Sequence, residues 1–531
     1  MARAVLTAHR QALLARLAGG ELFDIAVIGG GANGAGIALD AASRGLSVVL
    51  FERADFGSGT SSRSSKLIHG GVRYVGLGHW KLVREALTER SLLLDNAPGI
   101  VQSKRFLIPA YSYFSGAKFR LGLKLYDWLG GATPTSKSNW LTPDEACALV
   151  PALRRQGLVG AVAYDDAVFD DSRLLISVLA AARARDALTL NYCEVKAITG
   201  STAGRADTLA IQDHLGGNNF TVRAKIIINA AGPGSDVVRR LNEPTAPAGI
   251  SASQGAHVVV PSRHLGGQQA LVLPHTSDGR IMFAVPWHGQ VLLGTTDTVV
   301  ANGALPPEPL GHEIDAILEV AGQFLEPAPR RADVLCSFAG IRPLAGKADG
   351  ASTVKRSREH VLEIDGAGML SVSGGKWTTY RLIAEQCVDL AVTAAGLRGS
   401  ASQTATIALT PPATAGTDAF SAWGFAANEL RALVRERPDL AAPLHPDLPW
   451  CGAHFVWAAR AEQATSVSDT LAYRSRAMFV NPQAASDITP LVAALMAQEL
   501  GHGEDWIEQQ IEHARAAAQR FSLTPLIIGG E

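Results

Sequence analysis

Close to its start the chain carries an apolar run, Phe23-Asp24-Ile25-Ala26-Val27-Ile28, then a glycine turn, then small residues from Asn33 to Arg44. A run that short has the length of a buried strand, and the small residues after it have helical spacing until Gly45 stops them. Ser47-Val48-Val49-Leu50-Phe51 predicts a second strand, so residues 23–52 read as a strand, helix and strand with the strands parallel. A third buried strand is predicted at Ala224 to Ala230, where isoleucines run into the tight turn Gly232-Pro233. Met369 to Lys376 predicts another, leading into a helical stretch from Trp377 to Leu390. One parallel sheet is thus revisited along the chain. Between its visits lie alternating strands such as Ala256-His257-Val258-Val259-Val260 and Val291-Leu292-Leu293-Gly294, the pattern of an inserted antiparallel layer. Beyond residue 400, Pro411 to Gly416 reads as a linker, and the rest is rich in Ala, Leu, Glu and Arg at helical spacing.

The expected fold class is therefore α/β: a Rossmann-like dinucleotide domain, an inserted antiparallel-sheet substrate domain and a C-terminal helical domain. The corresponding segments are 21–100, 157–250 and 335–400 for the first, 101–156 and 251–334 for the second, and 410–531 for the third. A chain of 531 residues suits two or three packing units. Lys and Arg total 48 against 49 Asp and Glu, which gives no electrostatic footprint for nucleic acid. Five cysteines show neither Cys-x-x-Cys spacing nor a neighbouring histidine cluster, so no metal is expected and a reducing compartment fits. The first twenty residues carry Arg3, His9, Arg10 and Arg16 among the apolar positions, which points to an exposed helix and not a secretion signal. The uncharged run Ile25 to Leu39 falls short of the roughly 20 residues a membrane span needs.

The glycine turn carries the first chemistry. In Gly29-Gly30-Gly31-Ala32-Asn33-Gly34, Gly29 permits the turn off the strand, Gly31 lets backbone approach a pyrophosphate, and Gly34 lets the helix pack on the sheet. The helix N-terminus offers free amides and a positive dipole end to phosphates, and Glu52 is placed to accept from ribose hydroxyls. An acid there also disfavours NADP. NAD would fit a compact domain. The late strand that brings Ser373-Gly374-Gly375 to another helix N-terminus favours FAD, whose reduced ring carries negative charge.

The run Thr60-Ser61-Ser62-Arg63-Ser64-Ser65-Lys66-Leu67-Ile68-His69-Gly70-Gly71-Val72-Arg73-Tyr74 resembles the FAD-dependent glycerol-3-phosphate dehydrogenases. The resemblance continues at Gly255-Ala256-His257, Gly294-Thr295-Thr296-Asp297, Phe338 to Pro343 and Ser373 to Arg381, over residues 21–400. Ala256 and Trp377 depart mildly from the family's usual wording, and the extension before Glu21 is longer than in shorter bacterial members. The resemblance implies a flavoenzyme of the D-amino-acid oxidase group. It would oxidise sn-glycerol 3-phosphate to dihydroxyacetone phosphate, with hydride passing from C2 to flavin N5 and electrons going to a membrane quinone.

Such a substrate needs cations for its phosphate and a base for its hydroxyl. Arg73, Arg342 and Lys376 lie in segments resembling the family's active-site motifs and form the expected cationic group, with Tyr74 as a hydroxyl donor or a buried aromatic. His69 and His257 are the two candidate bases, and Arg342 would stabilise alkoxide charge. The expected cofactor contacts are Gly29, Gly31, Asn33, Gly34, Glu52, Arg53, Thr60, Ser61, Ser62, Ser64, Ser65 and Lys66 from the first part of the chain. Val195, on the strand passing the adenine, joins them, with Ala230, Gly232, Asp297, Gly374, Gly375, Lys376 and Thr378 from later segments. Lys118 to Leu129 mixes basic, apolar and aromatic positions. By pattern it is a core-facing amphipathic helix; by resemblance it contacts lipid on the inner face of the cytoplasmic membrane. Three other readings stay open: an oxidase handing electrons to oxygen, another flavoenzyme of the group, and a non-catalytic scaffold. A homodimer is compatible with all of them.

Overall fold

In a computed structural model, residues 2–71, 80–129, 137–200, 206–274, 281–300, 306–346, 360–410 and 420–527 are described, with side chains from Arg10 onward. The strands that build the site are β1 (Leu22–Ile28), β2 (Val48–Phe51), β3 (Asn219–Asn229), β4 (Ile250–Pro261), β5 (Gln290–Gly294), β6 (Cys336–Ala345) and β7 (Leu370–Ser373). The helices used below are α1 (Ala2–Ala18), α2 (Ala32–Ser43), α3 (Tyr113–Leu129), α4 (Asp171–Arg183) and α5 (Tyr380–Ala395).

The parallel sheet forms as the apolar runs require. It has the order β7, β3, β1, β2 and Leu188–Leu190, with Ile25 opposite Ile226 on one side and Val48 on the other. Both faces of β1 are covered, which is why its sequence is a continuous run and not an alternation. Helices α2, α4 and α5 pack on one face, burying Ile37, Leu175, Val178, Ile383 and Val388 in one cluster. The opposite face meets an antiparallel layer, Cys193–Gly200 and Ala206–Asp213, and Leu17 of α1.

The second sheet has ten strands and is antiparallel apart from one pairing, Ala270–Pro274 beside Val101–Ala110. β4 is its axis: β6 pairs along almost the whole of it, and β5 pairs with its second half. Three of its strands, Leu67–Ile68, Gly160–Phe169 and β6, were expected in the dinucleotide domain from the bounds 21–100, 157–250 and 335–400. Strand pairing assigns them to the substrate sheet. They lie where the chain passes between the two sheets, and a buried apolar run does not state which sheet it joins.

The C-terminal part is helical, as expected, with Gly452–Ala461, Pro482–Leu500 and Glu504–Gln519 sharing a core with the second sheet. The linker Pro411–Gly416 lies outside the described residues. The N-terminal helix is docked more firmly than an exposed helix: Arg10 pairs with Asp213 at 2.7 Å, and Leu17 is buried.

Buried charges join the helical part to the dinucleotide domain. Arg474 grips Asp55 with two bonds of 2.6 and 3.0 Å, and Arg173 of α4 grips Glu462 at 2.9 and 2.7 Å. Lys66 meets Asp171 at 2.6 Å, and Arg476 donates to the carbonyl of Ser62 at 2.6 Å. Arg474, Arg476 and Lys66 are all fully enclosed. Removing one member of such a pair strands its partner's charge in a low-dielectric interior. Asp55→Ala is therefore expected to destabilise the holoprotein by about 3–5 kcal/mol, read from urea unfolding, whereas Arg155→Ala at the exposed Asp144 pair should leave the unfolding midpoint unchanged.

Candidate active site

Between the two sheets lies a cavity of about 800 Å³, within the range of cofactor and ligand pockets. One wall is the glycine turn. Gly29 has φ +113° and sits against the backbone of Ala230, where a side chain would come within 2.6 Å of the carbonyl oxygen. Gly34 does not line the cavity. A Cβ there would lie 1.9 Å from the carbonyl oxygen of Gly29, so this glycine allows α2 to start directly against the turn. The first amides of α2 have no partner within the helix. Gly31 and Asn33 face the cavity, and Ser61 accepts from the amide of Ala32 at 2.9 Å. Glu52 accepts from the amides of Gly30 at 2.7 Å and Ala54 at 3.0 Å, while burial raises its carboxyl above the usual range. Its remaining lone pairs are available to sugar hydroxyls. Arg53, Val195, Ala230 and Gly232 line the same part of the wall. The cradle fits the ADP half of a dinucleotide.

The other part of the cavity is built by the second sheet and the turn after β7. Arg342 on β6 donates to the Thr295 hydroxyl at 2.9 Å and the Thr296 carbonyl at 3.1 Å, with Asp297 3.4 Å away. Asp297, expected as a cofactor contact, lines the cavity and is bonded to Ser253 and this arginine. Gly374, Gly375, Lys376 and Thr378 line the turn into α5, and the Thr378 hydroxyl accepts from the amide of His69 at 3.3 Å. His69 and His257 both line the cavity. His257 is held well below the usual imidazole value, first by burial and then by Arg342 and Lys66, so it is neutral near pH 7. A neutral imidazole is the form that accepts a proton.

The serine-rich loop divides differently from its sequence reading. Thr60 lines the cavity while its hydroxyl donates to the carbonyl of Ile341 at 2.6 Å, and the carbonyl of Ser61 accepts from the Trp377 indole at 2.8 Å. Ser64 and Ser65 also line the cavity. The Ser64 hydroxyl is spent on Asp171 at 2.7 Å. Ser62 and Lys66 do not reach it: the Lys66 ammonium turns inward to Asp171 and to the Ser62 carbonyl at 2.9 Å, and burial pulls it down to about 7. Their expected role as cofactor contacts is corrected to anchoring the loop. Arg73 and Tyr74 lie outside the described residues.

Thr295, Arg63 and Tyr473 are among the cavity residues that carry no individual role in the sequence reading. Thr295 was only part of a quoted motif. Arg63, inside the serine run, is buried and stacked over Phe479 and Phe521 at 5.4 and 5.7 Å. Tyr473 reaches the cavity from a π-helical turn, Thr470–Arg474, in the helical domain. A π-turn leaves no periodicity to find it by.

Residues 24–381 match the family model described as FAD dependent oxidoreductase, and residues 370–507 match the C-terminal domain of alpha-glycerophosphate oxidase. The chain is 36% identical to a mitochondrial glycerol-3-phosphate dehydrogenase of Arabidopsis thaliana, over 97% of this chain and 89% of that protein. It is 35% identical to the Homo sapiens mitochondrial enzyme of that name, over 95% of this chain and 74% of the relative. The structure matches an FAD complex of a glycerol-3-phosphate dehydrogenase from Bacillus halodurans with TM-score 0.75 and 26% identity, covering 100% of this chain and 99% of that one. L-alpha-glycerophosphate oxidase of Mycoplasma pneumoniae shares the fold, with TM-score 0.56 and 19% identity over 72% of this chain and 97% of that one. The cofactor that fits the cradle is FAD. Gly34→Ala is expected to push α2 off the turn and yield protein with little bound flavin, measured as absorbance near the flavin maximum per mole of purified chain.

Proposed function

Because the chain belongs to the FAD-dependent oxidoreductase family and carries the C-terminal domain of alpha-glycerophosphate oxidase, we propose that it oxidises sn-glycerol 3-phosphate to dihydroxyacetone phosphate and passes the electrons to a membrane quinone. The observation that carries this reading is the presence, around one cavity, of the cations Arg342 and Lys376 and the neutral imidazole of His257. Bound FAD supplies a two-electron acceptor. The chain's own groups supply the rest. Lys376 contributes positive charge for the phosphate, and Arg342, fixed by Thr295 and Thr296, stabilises negative charge growing on the C2 oxygen. A neutral histidine accepts the hydroxyl proton. His69 lines the same cavity.

The quinone part of the reading is supported by α3. It exposes Tyr113, Phe114, Leu121 and Trp128, each more than 70% accessible, beside the exposed Lys118, Arg120 and Lys124, and its other face buries Leu123 and Tyr126. Apolar and basic side chains projecting together from one docked helix suit the interface of an anionic bilayer. No helix among the described residues is long and apolar enough to cross a membrane, so the proposed contact is peripheral, and the proposed location is the inner face of the cytoplasmic membrane. The match to the oxidase C-terminal domain favours one alternative acceptor, oxygen.

Anaerobic glycerol 3-phosphate is expected to bleach the flavin, and a soluble quinone should restore the colour; fast reoxidation by air with stoichiometric peroxide would replace the quinone by oxygen. Arg342→Ala should slow the bleaching roughly a hundredfold or more in stopped-flow mixing. Since the His257 imidazole is depressed, its basic form persists as pH falls, so the bleaching rate should stay level through the usual imidazole range near about 6.5 and decline only below it. Phosphatidylglycerol vesicles should carry the protein down on sedimentation at low salt. Leu121→Asp with Trp128→Asp should leave it in the supernatant.

A further inference from the structure

His257 is clamped by its own sheet. On one side its cross-strand partner Phe338 stacks against the ring, centroids 4.9 Å apart and planes 15° off parallel. On the other its partner is Gly294, where any Cβ would fall 2.3 Å from His257 Cδ2. The ring's plane is thereby fixed. Each nitrogen of an imidazole makes one hydrogen bond, directed in that plane. The Nε2 direction is taken by the Ser65 hydroxyl, 2.9 Å away. Nδ1 is enclosed, with no hydrogen-bond partner among the described residues. A substrate hydroxyl in the cavity therefore finds neither ring nitrogen open to it. It finds Ser65, which lines the cavity and carries both a donor and an acceptor.

We propose, on the glycerol 3-phosphate reading above, that Ser65 is a catalytic residue which relays the substrate's C2 hydroxyl proton to His257. As the C2 hydrogen leaves with its electron pair for the oxidant, the O–H bond at C2 breaks and its proton goes to Ser65 Oγ. The original Ser65 proton goes to Nε2, and the electrons of the broken O–H bond become the second bond of the ketone. The serine ends as it began and the histidine holds the one proton released. The charged groups facing the ring are Arg342 from β6 and Lys66 from the loop, the latter paired with Asp171 of α4 and near Arg476. These cations disfavour a lasting imidazolium, so the proton passes on to solvent and the base resets.

The neighbouring serines do not share this position: Ser61 caps α2, Ser62 is buried away from the cavity, and Ser64 is bonded to Asp171. The loop that presents Ser65 is itself fixed at both flanks by Asp171, through Ser64 and Lys66.

The test is anaerobic stopped-flow reduction of the flavin by glycerol 3-phosphate in wild type, Ser65→Ala and Ser65→Thr holoenzymes, from about pH 6 to about pH 9, in water and deuterium oxide. Ser65→Ala is expected to keep its flavin, to slow reduction about a hundredfold, and to lose the wild-type solvent isotope effect. Ser65→Thr, which returns a hydroxyl, should recover most of the rate and the isotope effect. Wild-type rate and isotope effect in Ser65→Ala would overturn the relay, as would loss of the flavin in that variant, which would give the hydroxyl to the cofactor. Failure of glycerol 3-phosphate to bleach the wild type would overturn the substrate reading itself, and the relay with it.

Discussion

Two carboxylates, Asp55 and Asp171, sit in the interior facing Arg474, Arg476 and Lys66, and the order of the cavity depends on these pairs. A buried charge is tolerable only against its partner. Each pair thus fixes the distance between the segments that carry it. Asp55 lies just past the end of β2 and ties the glycine turn to the helical domain; Asp171 begins α4 and ties down the serine loop on both sides of Ser65. Apolar packing alone would allow small slides between these parts. Charge pairs with hydrogen-bond geometry allow far less.

That rigidity serves a site whose parts come from distant segments. The phosphate cradle and the turn carrying Lys376 belong to the parallel sheet, Arg342 and His257 to the antiparallel one, and Tyr473 to the helices. Around His257 the sheet does the aligning, since its ring is bounded by cross-strand neighbours, one large and one with no side chain. Arg342 one strand away is aligned by hydroxyl and carbonyl acceptors. Preorganised groups of this kind need no rearrangement when charge develops between them.

The parallel core was legible because buried strands flanking a glycine turn leave a strong, local signature, and β1, β2, β3 and β7 formed where their apolar runs predicted. Sheet membership was not: β6 has the same apolar run whichever sheet it joins, and only its pairing with β4 decides. Motif membership also overstated contact. Ser62 and Lys66 share a run with Ser64 and Ser65, yet the chain turns at Lys66, where φ is +59°, and the lysine side chain lies inside. The resemblance singled out Arg342, Lys376 and His257, all of which line the cavity, but could not supply Tyr473, whose place depends on a π-turn far along the chain.

The placement of Tyr473 and Arg474 sets an order of assembly. The glycine turn is made within the first tenth of the chain, but the wall that Tyr473 completes and the clamp that Arg474 puts on Asp55 exist only after residues 470–474 have been synthesised. The cavity and the ion pair that steadies it are in this sense completed from the far end of the chain, although the glycine turn that begins the cradle stands near its start.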